Sequence, residues 1–245
     1  VIDWLTKAPF AHRGLFGPDT GPENSLPAFA AALARGYGIE CDVRLLADGE
    51  VVVFHDRDLA RLTGRFGPVA GLGAGDLAGL DLGGTGQPPP LLADLLALVA
   101  GRVPLYIELK PEGAAAPLVR AVLSRLAGYR GPCCLACFDP WCLALVARYE
   151  PGRIRCLIVS DFADRGGRGL THLAHRYLLH ALPACPHCIA YDIRGLPNAA
   201  VRLVRALGLP VLLWTVGSRE DMDIFLRRGD NIVFEGFLPP SPGPT

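Results

Sequence analysis

The sequence has no surplus of either charge: 24 Lys and Arg balance 24 Asp and Glu over 245 residues. Without a basic excess there is no electrostatic footprint for nucleic acid and no polybasic face for a membrane surface. A long hydrophobic run is also missing. No stretch approaches the roughly 18–20 apolar residues that cross a bilayer. The longest candidate, 177–191, is interrupted by His180, Pro183, Pro186 and His187. Residues 1–9 lack the charged start and apolar stretch of a signal peptide. Neither GxGxxG nor GxxxxGK[ST] opens a helix, and HxH, HExxH and GxSxG do not occur. These absences argue against nucleotide-binding loops, helix-borne zinc sites and a serine nucleophile elbow.

What is present describes a folded chain. Hydrophobic residues make up 51% and charged residues 20%, which excludes a disordered polypeptide. Glycine and proline are frequent, at 29 and 22, but form no repeat. The length suits one large domain or two small ones, and the expectation adopted is a single domain spanning 1–245. Of the 8 cysteines, Cys134-x-x-Cys137 and Cys185-x-x-Cys188 imitate a four-cysteine zinc site. However, 133–138 reads as a strand, where side chains three apart point to opposite faces and cannot share an ion. The cysteines read better as small buried hydrophobes, and so many free thiols favour a reducing cytoplasm.

Apolar strand-like runs alternate with helical patterns. Strands are expected at 9–12, 38–43, 104–109, 133–138, 153–160, 188–192, 209–216 and 231–235. Helices are expected over 25–35, around Leu92 to Val99, and over 114–127, 141–148, part of 164–181 and 197–207. Ser25 is an expected N-cap, and Pro197 is expected in the first turn of its helix. Ser218-x-x-Asp221 resembles a capping box for a last helix with Met222, Phe225 and Leu226 inward, stopped by Gly229. After the turn Asp48-Gly49, 51–55 forms a hairpin arm. Residues 57–90, rich in glycine and proline, form an insertion after the second strand, and 239–245 a loose tail. Eight strand–helix units in this length are the arithmetic of an α/β TIM (β/α)8 barrel, with a doubly wound sheet as the competing architecture.

Charged residues occupy unusual places. In GIECDV, Glu40 and Asp42 share one face; in YIELK, Glu108 and Lys110 do. Charges on such apolar strands are costly unless matched. If the strands are neighbours, Glu40, Asp42 and Glu108 converge at the C-terminal mouth. Two readings are open there. Oxygen ligands favour Mg²⁺ or Ca²⁺; alternatively the acids form salt bridges with Lys110 or Arg44. His12 and His55 each end an apolar strand, where a barrel presents acid–base groups. Arg13 and Lys110 suit a phosphate. His172, His175, His180 and His187 follow no pattern and read as structural or surface groups.

His12-Arg13-Gly14, Pro22-Glu23-Asn24-Ser25, Glu40-x-Asp42, His55-Asp56 and Glu108-x-Lys110, in this order, resemble the motif series of the glycerophosphodiester phosphodiesterases. The resemblance runs through Trp214 to the closing strand. It implies a TIM barrel with an insertion after the second strand. It further implies His12 and His55 as the acid–base pair and one divalent cation, Mg²⁺ or Ca²⁺, on Glu40, Asp42 and Glu108. Arg13 and Lys110 would neutralise the phosphate, Glu23 and Asn24 would organise the site, and Phe138 and Trp214 would line the alcohol pocket. The implied partner is a small glycerophosphodiester, cleaved to glycerol 3-phosphate and an alcohol, with no nucleic acid and no transmembrane segment. Competing possibilities are a diesterase acting on lysophospholipids or giving a cyclic phosphate, and a silent phosphodiester-binding barrel. Three departures from the pattern are Cys41 between the acids, Cys137 before Phe138, and Phe234-Glu235-Gly236 on the last strand.

Overall fold

The computed structural model describes residues 2–160 and 177–242. Among the described residues there are nine strands: β1 (Phe10–Ala11), β2 (Gly38–Leu45), β3 (Val51–Val53), β4 (Leu105–Leu109), β5 (Cys133–Cys137), β6 (Ile154–Val159), β7 (Cys188–Asp192), β8 (Val211–Val216) and β9 (Asn231–Phe234). The described α-helices are α1 (Leu26–Ala34), α2 (Ala60–Thr63), α3 (Leu92–Val99), α4 (Ala115–Leu126), α5 (Pro140–Tyr149), α6 (Ala199–Ala206) and α7 (Arg219–Phe225). The strand order is β1-β9-β8-β7-β6-β5-β4-β2-β3, and β1 also pairs with β2. This is the order of a TIM (β/α)8 barrel, with β3 as an added hairpin strand. The chain divides into two compact units, residues 11–133 and residues 1–10 with 134–245.

In the 11–133 unit, β2 runs parallel to β4 with Asp42 opposite Glu108, and antiparallel to β3 with Val43 opposite Val53. Ile39, Cys41 and Val43 are fully buried on one face, as expected of a strand covered by helices. The alternate face carries Glu40 and Asp42, also buried. Ser25 caps α1 by accepting from the Ala28 N–H, and Gly36 follows its end at φ 74°.

The stretch 57–90 is ordered in spite of its composition. It holds α2 and three short 3₁₀ segments, Val69–Gly71, Ala74–Gly79 and Leu82–Gly84. Leu59, Val69, Leu72, Leu77, Leu80 and Leu82 from this stretch bury themselves with Leu46, Val52 and Phe54 of the hairpin. Apolar residues spaced among the glycines thus give the excursion a satellite core of its own.

In the other unit, β5 to β9 are joined as parallel pairs, with Asp192 of β7 opposite Trp214 of β8. Asn231 on β9 donates to the carbonyls of Leu5 and Ala8, anchoring the N-terminal segment. Asp139 caps α5. Three details differ from the sequence reading. Pro197 precedes the helix instead of starting it, because Asn198 is the cap, accepting from the N–H groups of Ala200 and Val201. Ser218 caps α7 through the Asp221 N–H, but the helix ends at Phe225, short of Gly229. Leu226 is therefore past the helix and 42% exposed instead of inward. Seven cysteines are buried and Cys185 is exposed, none of them in a disulfide. Cys134 and Cys137 lie on β5 as expected of packing residues. His187 accepts from the Arg155 N–H, a structural role. His172, His175 and most of the helix expected in 164–181 lie outside the described residues; 239–242 have no regular structure. No helix among the described residues is long and apolar enough to cross a membrane.

Candidate active site

Strand register brings the acids together. Asp42 and Glu108 are lateral partners on β2 and β4, and Glu40 lies two residues earlier on the same face of β2. Each offers a carboxylate oxygen within 4.8 Å of the others, and all three are buried. Among the described residues this is the sole cluster with metal-ligand chemistry.

Two cations stand beside it. Lys110, whose N–H bonds the Val43 carbonyl just beyond β4, places Nζ 3.1 Å from Asp42 Oδ1 and 2.5 Å from Glu108 Oε1. Arg13 Nε is 3.4 Å from Asp42 Oδ2. Arg13 adopts φ 56°, and this turn aims its backbone N–H at Glu40 Oε2, 2.8 Å away. Gly14 follows at φ 83°; a Cβ there would lie 2.9 Å from the Ala28 backbone, so only glycine fits. His12, partly buried, directly precedes Arg13.

Asn24 is fully buried at φ 57°. Its amide donates to Asp42 Oδ2 at 2.9 Å, and its carbonyl oxygen accepts from the Asp42 N–H. Glu23 is not part of the acidic cluster. Its Oε1 accepts from Arg13 at 2.7 Å, and both its oxygens accept from Arg61.

The hairpin delivers His55. β3 ends at Val53, two residues earlier than a strand-end histidine requires, and the Phe54 N–H bonds the Asp42 carbonyl. The antiparallel return thus brings 54–55 back alongside the acids of β2. His55 Nδ1 lies 2.7 Å from Asp56 Oδ1. A carboxylate only accepts, so Nδ1 carries the hydrogen and Nε2 holds the lone pair of the neutral ring. Arg44 does not bridge the acids. It donates from Nε and Nη2 to the His55 carbonyl and pairs with Glu112.

The charges sort themselves. Burial pushes the Asp42 carboxyl up, but Lys110, Arg13 and His55, with the Asn24 amide, outweigh it and hold Asp42 below the usual range. Burial, reinforced by Asp42 and Glu108, pushes Glu40 well up. Burial also lifts Glu108 to about 7, against Lys110. Burial lowers His55, with Asp42 opposing. Hydrogen bonds from Arg61 bring Asp56 down to about 2. Asp42 Oδ1 and Glu108 Oε1 are buried beside the Lys110 ammonium, and Asp42 Oδ2 beside Arg13 Nε. Oxygens of this kind, on three converging carboxylates, fit a hard divalent cation.

In the other unit, Phe138 and Trp214 meet edge to face with centroids 5.6 Å apart. The Trp214 indole N–H is buried without an acceptor. Sequence reasoning missed Arg61 and the orienting part of Asp56. Arg61 sits in the glycine- and proline-rich stretch, where an arginine reads as a solvated charge; its five-residue spacing from Asp56 matches no helical pair.

The sequence matches the glycerophosphoryl diester phosphodiesterase family over residues 12–235. It is 31% identical to the uncharacterized protein YqiK of Bacillus subtilis, covering 95% of this chain and 96% of that one. It is 27% identical to the glycerophosphodiester phosphodiesterase of Caldanaerobacter subterraneus, covering 91% of each. Among solved structures, an Oleispira antarctica phosphodiesterase in complex with the product sn-glycerol-3-phosphate shares the fold with a TM-score of 0.78. It is 23% identical, covering 94% of this chain and 93% of that one.

Proposed function

We propose a metal-dependent, two-histidine mechanism for this chain, which belongs to the glycerophosphoryl diester phosphodiesterase family. It is a phosphoric diester hydrolase, and its substrate in this reading is a glycerophosphodiester, cleaved to glycerol 3-phosphate and an alcohol. The observation that carries the reading is the buried triad Glu40, Asp42 and Glu108, with oxygens within 4.8 Å of one another. The triad would hold one Mg²⁺ or Ca²⁺. When bound, such an ion polarises the phosphoryl oxygens and offsets the charge of the transition state.

The chain's own groups do the rest. Arg13 and Lys110 bring positive charge to the same face and suit the phosphate. With Nδ1 occupied by Asp56, His55 presents Nε2 as a base. His12, next to Arg13, serves as the opposite member of the pair and protonates the departing alkoxide. Cys41 lies on the opposite face of β2 from Glu40 and Asp42, and Ser25 caps α1, so in this reading the nucleophile comes from the substrate or from water. The glycerol hydroxyl beside the ester is favoured, because intramolecular attack avoids the entropy cost of a second reactant. Attack by that hydroxyl gives a cyclic phosphate, which water then opens with the histidines exchanging roles. Phe138 and the unpartnered Trp214 N–H suit the alcohol portion. Cysteines outside any disulfide favour a cytoplasmic setting, and a glycerophosphodiester substrate would give the chain a place in lipid metabolism.

The test is release of glycerol 3-phosphate from glycerophosphocholine with Mg²⁺ or Ca²⁺ added, and its loss in excess chelator. Full activity in chelator overturns the metal-dependent mechanism. An analogue lacking the glycerol 2-hydroxyl separates the two nucleophiles: turnover near the parent's rate rules out the cyclic route.

A further inference from the structure

Arg61 makes four hydrogen bonds to carboxylates at the site, and neither the catalytic pair nor the acidic triad includes it. Its Nε donates to Asp56 Oδ2 at 2.6 Å and its Nη2 to Asp56 Oδ1 at 3.1 Å. Its Nη1 and Nη2 donate to Glu23 Oε2 and Oε1 at 2.8 and 2.7 Å. All three guanidinium nitrogens are thus spent on two carboxylates. Each carboxylate serves a second group: Asp56 holds His55 Nδ1, and Glu23 holds Arg13 Nη1.

We infer that Arg61 is a positioning residue, locking the His55–Asp56 pair and the Arg13–Glu23 pair into one frame. A lone exposed ion pair constrains little. A planar guanidinium fork is different, because it fixes the direction of each carboxylate as well as its distance. Asp56 is thereby kept facing Nδ1, so that Nε2 points its lone pair outward. Glu23 is kept on Arg13, whose Nε already lies 3.4 Å from Asp42 and would collapse further onto it if released. The base of Arg61 is itself anchored. Leu59 is buried in the satellite core, Thr63 Oγ1 bonds the Leu59 carbonyl, and Gly64 ends the short helix at φ 68°. The ordered excursion thereby carries one side chain back into the site. Lysine at this position has a single point charge and no fork, so it cannot hold both carboxylates.

This inference rests on the reading of His55 as an acid–base group, and the experiment separates the two. Arg61→Gln and Arg61→Lys are assayed with glycerophosphocholine and saturating Mg²⁺. In parallel the imidazole nitrogens of His55 are read by NMR in ¹⁵N-histidine-labelled protein. Both variants are expected to lose about 10–100-fold in kcat, the usual cost of removing a partner that orients an active group. KM should stay within about threefold, as for an interaction that does not touch substrate. His55 should pass from one tautomer with hydrogen on Nδ1 to a mixture. Arg61→Lys keeps a cation, so it remains informative if Arg61→Gln fails to fold. Unchanged kcat with an unchanged tautomer overturns the inference. So does a rise in KM at constant kcat, which makes Arg61 a substrate ligand. If the wild-type protein hydrolyses no glycerophosphodiester, the functional reading fails, and the tautomer comparison alone decides Arg61.

Discussion

Asp42 and Glu108 face each other across β2 and β4, yet neutralising them should have different consequences. Asp42 is 1% exposed, and its oxygens lie 3.1 Å from Lys110, 3.4 Å from Arg13 and 2.9 Å from the Asn24 amide. Asp42→Asn leaves two half-buried cations without their shared counter-charge. Breaking a buried ion pair by removing one partner costs about 3–5 kcal/mol. Glu108 shares Lys110 alone, and burial lifts its carboxyl to about 7. A carboxyl raised in the fold opposes folding above its unfolded value, and increasingly so up to about 7. Glu108→Gln, close in shape to the protonated acid, should therefore be neutral or mildly stabilising at pH 8. In excess chelator at pH 8, Asp42→Asn should melt below Glu108→Gln by roughly 6–20 °C, at about 2–4 °C per kcal/mol for a chain of this size. Calorimetric titration with Mg²⁺ or Ca²⁺ should show both variants losing affinity, since hard cations depend on ligand charge. Equal melting temperatures in chelator refute the charge assignment, because Asp42 would then not be the ionised anchor of the cluster.

His12→Ala and His55→Ala should each lower kcat by about 10²–10⁴ with circular dichroism unchanged, the range for one acid–base group; near-normal turnover in either makes that histidine structural. Gly14→Ala forces a Cβ to 2.9 Å from the Ala28 backbone at φ 83°. It should cost at least about 1–3 kcal/mol in urea unfolding, the scale of backbone strain. The Asp56 carboxyl, lowered to about 2 mainly by Arg61, contributes stability present above its unfolded value near 3.8 and lost as pH falls through about 2. Because Asp56 is partly solvated, the contribution is about 1 kcal/mol or less, and Asp56→Asn should abolish that part of the difference in unfolding free energy between pH 6 and pH 3.

The barrel was legible because parallel strands covered on both faces read as short apolar runs, separated by helical stripes. The acids were legible for the same reason, since Glu40, Asp42 and Glu108 interrupt runs that otherwise admit no charge. Other features depended on details with no periodic signature. That β3 stops at Val53, so the hairpin rather than a strand end presents His55, follows from pairing register. The order of 57–90 follows from leucines spaced to meet the hairpin in three dimensions. The placement of Arg61 follows in turn from that order, and a Gly- and Pro-rich composition conceals it. Arg44, which the sequence offers as a partner of the acids, leaves β2 toward the His55 carbonyl and Glu112.

The sequence left two explanations for the acids, a bound cation or internal salt bridges, and the geometry makes them complementary. Three carboxylates carry three negative charges, while Lys110 and Arg13 return two positive ones. Arg61 adds nothing to this sum, because Glu23 and Asp56 already exceed its charge. Burial answers the excess by lifting Glu40 and Glu108 while Asp42 stays ionised. A cluster meant only for stability gains little from acids it must protonate, since apolar side chains of similar size would serve as well. A cluster meant to receive a divalent cation gains from them directly. Glu40, Asp42 and Glu108 would hold such an ion in place of the protons on Glu40 and Glu108, and Lys110 and Arg13 would be left to meet an anionic substrate. The salt bridges therefore set the resting charge of the site, and the surplus acid is what suits it to a metal.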